Sequence, residues 1–326
     1  MKATVFTLSA LAGAATLAMA VTSGAALAQS KPDIRISTGR QGGAYYNMAA
    51  VVADALYRSG KVNSATAESS SGGPENMRLL TKGTVQIGAT DMVWSVKARN
   101  GEKPYTQKHD IYTVAPLGQW PLFFVTPADS KIKTIADLKG RRVAVGARGS
   151  GMENHTRLIL GAAGMTFDDI KPIYLSFRPG ARAVKDGKAE AQFQCCVPNP
   201  ALTELSELSK VRGVELGSAK AKILALPVYG EMTLKKGAFK GQPADIPAIA
   251  DVNAWYAHKS LPDDVAYLYA KTIIDNYKTF AKKMPQFATV GDIHAQVKTK
   301  GIKALEIGAP LHPGAMKAYK EAGILK

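Results

Sequence analysis

The residues of this chain with the clearest capacity for chemistry are glycines and hydroxyl-bearing side chains that stand where a strand pattern changes into a helix pattern. The stretch "ISTGRQGGAYYNMAA", which begins at Ile36, contains Gly42 and Gly43 followed by Tyr45 and Tyr46. Glycines let a ligand approach the main chain, and tyrosine hydroxyls add hydrogen-bond donors. The first turn of a helix has backbone N–H groups without internal partners and carries partial positive charge. Such a place can bind an anion.

Three further loops have the same composition, and each precedes a predicted helix. They are Ser70–Gly73 before Pro74, Thr90 with Asp91, and Gly149–Gly151 before Met152. The alternative at each loop is an ordinary turn or helix cap, with the tyrosines of the first stretch packed against the sheet. The residues by themselves leave both interpretations open.

Short apolar runs alternate with helix-periodic segments from Ile34 onwards, which predicts an α/β fold with a largely parallel sheet. The order of strand, glycine loop and helix occurs once from Ile34 and again from Arg142. A chain of 326 residues exceeds one compact core, so we expect two lobes. Loops that follow strands gather at one edge of an open sheet. The four loops therefore predict a cleft that holds an anion from both lobes.

Local patterns place several helices within this scheme. Asp91 is expected to cap a helix over 92–98, and Pro200 is expected to open another. A third helix is predicted around 181–187. A fourth is predicted over 261–284, with acidic residues at its start and lysines at its end. We place lobe I at residues 29–124 and 230–326, and lobe II at residues 125–229.

Residues 1–28 are predicted to be a cleaved signal peptide. Lys2 is followed by an apolar run to about Ala20, and Ala26-Leu27-Ala28 offers the small residues that a signal peptidase reads. The run is shorter than the roughly 20 apolar residues that a membrane span needs. We therefore expect cleavage after Ala28, a periplasmic location, and no later membrane-spanning stretch.

The charge of the chain bears on its partners. Forty-two basic residues against 26 acidic ones give a formal net charge of +16. Nucleic acid is a poor partner for an exported chain. The positive charge is therefore expected to attract anionic ligands or an anionic membrane face.

Enzyme chemistry finds little support in the sequence. The loops match neither G-x-x-x-x-G-K-[ST] nor G-x-G-x-x-G, there is no G-x-S-x-G, and the five histidines include no H-E-x-x-H pair. His155 is expected to be an exposed helix residue rather than a general base. Cys195 and Cys196 are neighbours, so a disulfide between them would be strained. We expect two small apolar residues there, with a reactive or metal-binding pair as the alternative. No catalytic residue, metal or cofactor is predicted.

Six stretches that follow one another along most of the mature chain carry a family resemblance. They are "ISTGRQGGAYYNMAA", "GGPENMRLLTKGTVQIGATD", "IADLKGRRVAVGARGSGMENHTRLIL", "PNPALTEL", "LPDDVAYLYAKTIIDN" and "APLHPGAMKAYKEAG". As a set they make the chain similar to the TAXI family of periplasmic solute receptors, the binding components of TRAP-type transporters. The resemblance implies a two-lobe periplasmic-binding-protein fold, each lobe a mainly parallel sheet flanked by helices, with the ligand cleft between the lobes. It also implies small organic anions or amino acids as solutes, and a TRAP-type permease driven by an ion gradient as partner.

The resemblance also implies which positions of this chain correspond to the family's ligand loops. It assigns Pro198 and Asn199 to the segment that lines the opposite side of the cleft. Arg40 or Arg148 could supply a counter-charge, or either could be an exposed loop residue. The chain departs from the family in having Gly72-Gly73-Pro74 where Gly-Ser-Val is usual, and in having Cys195-Cys196 in place of a small, glycine-containing run. The predicted ligand-binding residues are Arg40, Gly42, Gly43, Tyr45, Tyr46, Ser71, Gly72, Gly73, Asn76, Thr90, Asp91, Arg148, Ser150, Gly151, Pro198 and Asn199.

The function expected from these observations is capture of a carboxylate or sulfonate solute for a membrane permease. Two alternatives stay open. The same fold could present its ligand to a membrane sensor kinase, or the chain could be an exported enzyme that uses Cys196 or His155.

Overall fold

Strands and helices alternate along residues 31–326, which are the residues that the computed structural model describes. The predicted α/β class, with helices flanking the sheet, is confirmed. The predicted signal peptide lies outside the described residues. The strands are β1 (Asp33–Ser37), β2 (Ser64–Glu68), β3 (Ile87–Asp91), β4 (Ile111–Pro127), β5 (Arg142–Ala144), β6 (Lys171–Ile173), β7 (Ala191–Gln194), β8 (Val211–Val214), β9 (Tyr229–Leu234) and β10 (Ile246–His258). The helices are α1 (Ala44–Arg58), α2 (Gly73–Thr81), α3 (Met92–Asn100), α4 (Gly151–Ala162), α5 (Phe177–Lys185), α6 (Pro200–Leu208), α7 (Lys220–Leu224), α8 (Asp263–Lys283), α9 (Ala288–Lys300) and α10 (Pro313–Glu321).

The sheet has two parts joined by its two longest strands. Strand order is β2-β1-β3-β10-β4-β7-β5-β6, with β8 added to β4 and β9 added to β10. In the first part β1 pairs in parallel with β2 and β3, and in the second β5 pairs in parallel with β6 and β7. Strands β4 and β10 are antiparallel and pair at ten positions. They carry the chain from one part to the other and back.

Each part of the sheet has its own hydrophobic core. In the first part α1, α8, α9 and α10 cover the sheet, with Met48, Trp255 and Tyr269 fully buried. In the second part Phe124 and Phe193 lie in a core with residues of α4. We propose that these two cores belong to the two lobes that the sequence predicts.

The lobe boundaries can be placed by the strand that changes partners. Strand β4 pairs with β10 as far as Leu122 and with β7 from Phe123 onwards. Leu234, Phe239 and Ala248 pack in the same core as Phe123, on the second side of this change. We therefore propose that the chain returns to the first lobe within β10, close to residue 250, and not at residue 230.

Local sequence signals explain where several helices begin. The Asp91 side chain accepts a hydrogen bond from the Val93 N–H at 3.0 Å, so the predicted cap of α3 is confirmed. Pro200 is the first residue of α6, and α8 begins and ends close to its predicted limits. The helix predicted around 181–187 instead starts at Phe177. Pro179 falls in its first turn, where the missing N–H would have no partner in any case.

One buried amide fixes the loops at the carboxyl ends of β1, β2 and β3. The Asn76 side chain lies in α2 and donates to the carbonyl oxygens of Thr38 and, at 2.6 Å, Ala89. It also accepts a hydrogen bond from the Ser70 hydroxyl at 2.6 Å. A single side chain therefore joins three of the loops that the sequence predicts to meet.

We expect Asn76→Ala to lower the free energy of unfolding by about 2–4 kcal/mol, because it leaves two carbonyl groups and a hydroxyl without their buried partner. Urea unfolding of the two proteins measures this. Asn100→Ala is the matched control, since Asn100 is exposed at the end of α3, and it should change stability by less than about 0.5 kcal/mol. Equal losses in the two variants would contradict the anchoring role of Asn76.

Candidate functional site

A cavity of about 280 Å³ opens where the two parts of the sheet meet. Its walls come from both parts: the loops after β1, β2 and β3 on one side, and the loops after β5, β6 and β7 on the other. Asp251 of β10 also contributes to the wall. A volume of this order suits a small organic molecule.

The feature shared by these loops is that each leads into a helix. Six helices, α1 to α6, begin at this one cavity, because the residue that precedes the first turn of each lines its wall. Helix starts carry partial positive charge, so their fields add in the cavity. These six preceding residues are Gly43, Gly72, Asp91, Ser150, Ser176 and Asn199.

The six helix starts differ in how far their N–H groups are already satisfied. Ser150 accepts a hydrogen bond from the Glu153 N–H at 3.3 Å, and Asn199 accepts one from the Leu202 N–H at 2.9 Å. Helices α1, α2 and α5 have no side-chain cap. Apart from Pro74 in α2 and Pro179 in α5, which have no N–H, the first-turn N–H groups of these helices have no side-chain cap and can meet an acceptor in the cavity.

Glycine is required at two places in these loops. Gly42 and Gly72 have φ of +77° and +110°, a region that other residues rarely adopt. A Cβ atom on Gly73 would lie 2.4 Å from the Thr90 hydroxyl oxygen. The main chain thus lines the cavity where backbone conformation, at Gly42 and Gly72, or lack of space, at Gly73, favours glycine.

Strand register brings a group of polar side chains to the buried end of the cavity. Asn253 of β10 lies opposite Asp91 of β3, and Asp251 lies opposite Tyr229 of β9. Residues opposite each other, and residues two apart on one strand, share a face of the sheet. Asp91, Asp251, Asn253 and Tyr229 therefore project to the same side. Tyr45 of α1 donates its hydroxyl hydrogen to the Asn253 side-chain oxygen.

His155 of α4 completes this group. Its Nε2 lies 3.6 Å from Asp91 Oδ2 and 3.7 Å from Asp251 Oδ2, and its Nδ1 lies 2.8 Å from the Tyr229 hydroxyl. The ring also stacks on Phe193, with the two planes 9° apart. The imidazole is 4% exposed, so it is held between two carboxylates away from solvent. Within residues 31–326, no three His, Cys, Asp or Glu side chains form a metal-binding group.

Burial and charge change the protonation of this group. Burial lowers the pKa of His155, but the Asp91 and Asp251 carboxylates outweigh this effect and the net pKa is raised. Burial raises the pKa of Asp251 to about 6, with His155 opposing the rise and Asp91 adding to it. The two carboxylates thus favour the protonated form of His155, and burial disfavours the ionised form of Asp251.

One oxygen of Asp251 has no partner in the described chain. Asp251 is 5% exposed, and its Oδ1 makes no hydrogen bond there. The Asn253 side chain interacts with this carboxyl and lowers its pKa, although the pair falls short of full hydrogen-bond geometry and Asn253 Nδ2 is also buried without a partner. Buried polar atoms without partners are rare, and a bound molecule would reach these two only after a small shift of the side chains around them.

Eleven of the sixteen predicted ligand-binding residues line the cavity. Arg40 is exposed there, and within residues 31–326 it forms no ion pair. Arg178, which the sequence did not single out, also lines the cavity and is paired with Glu204 at 3.5 Å. The eleven are Arg40, Gly42, Gly43, Tyr45, Ser71, Gly72, Gly73, Asp91, Ser150, Gly151 and Asn199.

The other five predicted residues do not line the cavity, and each has a structural reason. Tyr46 follows Tyr45 on α1 and is rotated by about 100° around the helix axis. Asn76 is the loop anchor described above, and Thr90 is fully buried beneath Gly73. The Arg148 guanidinium stacks on the Tyr174 ring, 3.6 Å from its centre. Pro198 is exposed, and its carbonyl accepts a hydrogen bond from Gln286.

Comparison with known protein families matches this chain to one of them. The model of the NMT1-like family matches residues 36–323, which is most of the chain. The chain belongs to the NMT1-like family.

Two further kinds of comparison accompany this match. An Escherichia coli K12 protein named "Putative aliphatic sulfonates-binding protein" is 28% identical over 179 residues, covering 51% of this chain and 50% of that protein. The chain thus spans about half the length of this curated relative. A Bordetella bronchiseptica RB50 structure is 13% identical, with a TM-score of 0.53 over 90% of this chain and 98% of the other. A structure of an R. palustris protein with adipate is 15% identical, with a TM-score of 0.53 over 90% and 97%. These similarities support the periplasmic-binding-protein fold.

One expectation about this NMT1-like chain is wrong. The sequence predicts an exposed His155, but the residue is buried, because the face of α4 that carries it turns towards Asp91 and Asp251. Cys195 and Cys196 follow β7, and Cys196 is buried in a hydrophobic core with Cys195 packed against it, as expected. Both also line the cavity.

Asp251 and Tyr229 are the site residues that sequence reasoning missed most completely. Strand β10 was not predicted, so Asp251 had no assigned position. A signal was present in "IPAIADVNAWYAH", an apolar run interrupted only by Asp251 and Asn253 in its middle. Two polar residues at a spacing of two in a buried strand indicate one face turned towards a polar site.

The raised pKa of Asp251 predicts a pH-dependent gain in stability for Asp251→Asn. The folded carboxyl ionises near pH 6 and an unfolded one near 3.8, so the folded state is progressively disfavoured as pH rises between these values. The advantage of the variant should grow over this range and level off above pH 6, by at most about 3 kcal/mol. Unfolding measured from pH 4 to pH 8 in both proteins tests this.

Asp245→Asn is a control for which the expected change in stability has the opposite sign. Hydrogen bonds from the Lys236 N–H and the Lys235 side chain lower the pKa of Asp245. Its ionised form therefore favours folding above the unfolded pKa, so this variant should lose stability relative to wild type at neutral pH, with a smaller difference in acid. The same pH trend in both variants would show that Asp251 is not disfavoured by burial.

Proposed function

We propose that the chain is a periplasmic receptor for a small organic anion or an acidic amino acid that carries a carboxylate or a sulfonate. The observation that carries this proposal is the convergence of six helix starts on one cavity, three of them without a side-chain cap. N–H groups and aligned helix dipoles at such a place favour a negative group. The exposed Arg40 adds positive charge at the edge of the cavity.

The names of similar proteins agree with this chemistry. The E. coli relative is named for aliphatic sulfonates, and the R. palustris structure contains adipate, a dicarboxylate. Both are small organic anions with an apolar part. In this chain Phe193, Phe177 and Tyr45 would contact such a part.

The buried end of the cavity favours a ligand that carries a protonated nitrogen as well as an anionic group. Asp251 lines the cavity and has a buried carboxylate oxygen without a full hydrogen-bond partner, and the cluster sets two carboxyl groups against one imidazole. A simple anion would bring a second acidic group towards Asp251. An ammonium group there would pair the free oxygen instead.

The same geometry does not favour an enzyme based on Cys196 or His155. Contact with Cys195 and burial raise the pKa of the Cys196 thiol, which disfavours the nucleophilic thiolate. The Asp91 and Asp251 carboxylates raise the pKa of His155 despite its burial, which favours the protonated ring and so weakens it as a general base.

The partner expected from the sequence resemblance is a TRAP-type permease driven by an ion gradient. Export through the signal peptide would place the receptor on the same side of the membrane as the permease's solute entrance. Among residues 31–326 no helix is long and apolar enough to cross a bilayer. Delivery to a membrane partner therefore requires docking of the liganded receptor.

The energy source of that partner can be tested in right-side-out membrane vesicles of the source organism, supplied with the purified receptor and a radiolabelled solute that it binds. We expect receptor-dependent uptake that continues without ATP and stops when ionophores collapse the sodium and proton gradients. Uptake that needs ATP and continues in the presence of the ionophores would show that the partner is an ATP-driven importer and not a TRAP-type permease.

We predict that the chain binds an anion with an amino group more tightly than the matched anion without one. Thermal shift and calorimetry test this with two pairs, taurine against ethanesulfonate and glutamate against glutarate. In a pair that binds, the amino compound should bind at least about tenfold more tightly, because a hydrogen bond to a charged group contributes about 1.5–3 kcal/mol. Asp251→Asn should remove this preference. Equal binding of both members would contradict the cationic subsite, and failure of a broader set of carboxylates and sulfonates to bind would contradict the receptor function.

Gly151→Leu tests whether the cavity is where these compounds bind. Gly151 is the first residue of α4, and a Cβ on it would point into the cavity, with Asp91 Oδ2 at 3.9 Å as its nearest neighbour. A leucine should therefore fill the cavity and abolish the thermal shift. Gly161→Leu is the control on the same helix, since Gly161 is exposed and has nothing within 4 Å. Retained binding in Gly151→Leu would place the ligand elsewhere.

A further inference from the structure

Two neighbouring thiols form part of the cavity wall. Cys195 and Cys196 follow β7, and both are free and line the cavity. Their Sγ atoms are 2.9 Å apart. Neighbouring side chains on a strand point to opposite faces, so this contact needs a specific backbone turn.

The turn is provided by Cys196 itself. Cys196 has φ of +59° and is the only non-glycine residue with a positive φ among residues 31–326. This conformation is unfavourable in a residue with a side chain, so the surrounding structure must hold it. Asn199, which caps α6, donates a hydrogen bond to the Cys195 carbonyl at 2.9 Å. The cap of a cavity helix thus also fixes the segment that brings the two sulfurs together.

We propose that Cys195 and Cys196 form a redox-sensitive dithiol that closes to a disulfide between neighbours in the wall of the ligand cavity. The oxidant is a low-molecular-weight disulfide that enters the cavity. Export favours such chemistry, because disulfides form and persist outside the cytoplasm.

The two sulfurs have different roles in the exchange. Cys195 is partly exposed to the cavity, whereas contact with Cys195 and burial raise the pKa of the Cys196 thiol. The Cys195 thiolate attacks one sulfur of the small disulfide, whose S–S bond breaks and releases the first thiolate. Cys196 then attacks Cys195 Sγ, releases the second thiolate, and gives its proton to it. Two protein thiols are oxidised, and one small disulfide is reduced to two thiols.

The product would be reversible. Cα atoms of neighbouring residues are about 3.8 Å apart across a trans peptide, which is below the range of about 4.4–6.8 Å found in most disulfides. A strained disulfide is reduced more easily than a structural one. Closure would also remove two S–H groups from the cavity wall, so it would change ligand affinity, a consequence that rests on the proposed receptor function.

Intact mass spectrometry of the purified mature chain tests ring closure. The reduced chain is treated with bis(2-hydroxyethyl) disulfide, and remaining thiols are alkylated. We expect loss of two hydrogen atoms, no alkylation, and recovery of two alkylated thiols after dithiothreitol. A stable mercaptoethanol adduct, two thiols that still alkylate, or a disulfide-linked dimer would overturn the proposal.

Two serine variants separate the roles of the sulfurs. Cys196→Ser should accumulate the mercaptoethanol adduct on Cys195, because the second step is lost. Cys195→Ser should react much more slowly, because the remaining thiol is buried. Circular dichroism and melting temperature confirm that each variant is folded. Equal rates in the two variants would contradict the assignment of Cys195 as the attacking thiol.

The effect on the ligand site is measured separately. Reduced and ring-closed chain are compared in the taurine and glutamate thermal-shift assays, and the shift is expected to differ between the two forms. Equal shifts would contradict regulation by the ring while leaving ring closure in place. If no carboxylate or sulfonate shifts the reduced chain, the receptor function fails, whatever the mass measurement shows.

Discussion

Backbone N–H groups at helix starts are the interaction on which the rest of this site depends. An α-helix leaves its first N–H groups without partners, and here six helices begin at one cavity. That convergence follows from the fold, because loops after the strands of each half meet at the same edge. Gly42 and Gly72, in left-handed conformations, and the anchor residue Asn76 hold the loops so that main chain rather than side chain faces the cavity.

The cavity contains both the positive ends of the helices and a buried group of carboxyl side chains. The site therefore combines hydrogen-bond donors with acidic acceptors. Asp91 caps α3, while Asp251 is held in β10 with one free oxygen. His155 lies between the two carboxylates and neutralises part of their charge. A cavity with donors around its wall and a carboxylate at its buried end is suited to a molecule with both signs of charge. Burial raises the pKa of Asp251 to about 6, so ionisation of this carboxyl opposes folding as the pH rises towards that value.

Much of the fold and part of the site could be predicted from the sequence, and the difference has a physical basis. Helix starts have local signals, so Asp91 and Pro200 were identified correctly. Helix rotation is less local, and adjacent residues such as Tyr45 and Tyr46 cannot be separated until the axis of α1 is known. Strand register is not local at all. Asp251 lies on the same side of the sheet as Asp91 only because β10 pairs between β3 and β4, which are more than one hundred residues earlier in the chain. The burial of His155 follows from the same pairing.

Strands β4 and β10 have a mechanical consequence beyond their role as connections. Because they are hydrogen-bonded to each other at ten positions, any relative movement of the two halves must bend a single two-stranded ribbon. Such a ribbon resists sliding of one strand along the other, because sliding would break all of the inter-strand hydrogen bonds at once. Bending distorts each of these hydrogen bonds only slightly. Asp251 lies within the ribbon, whereas the glycine loops lie outside it and lead into α1, α2 and α4. Displacement would then be smallest around Asp251 and greater in the loops, so the cavity would open at its edge while the surroundings of Asp251 keep their shape.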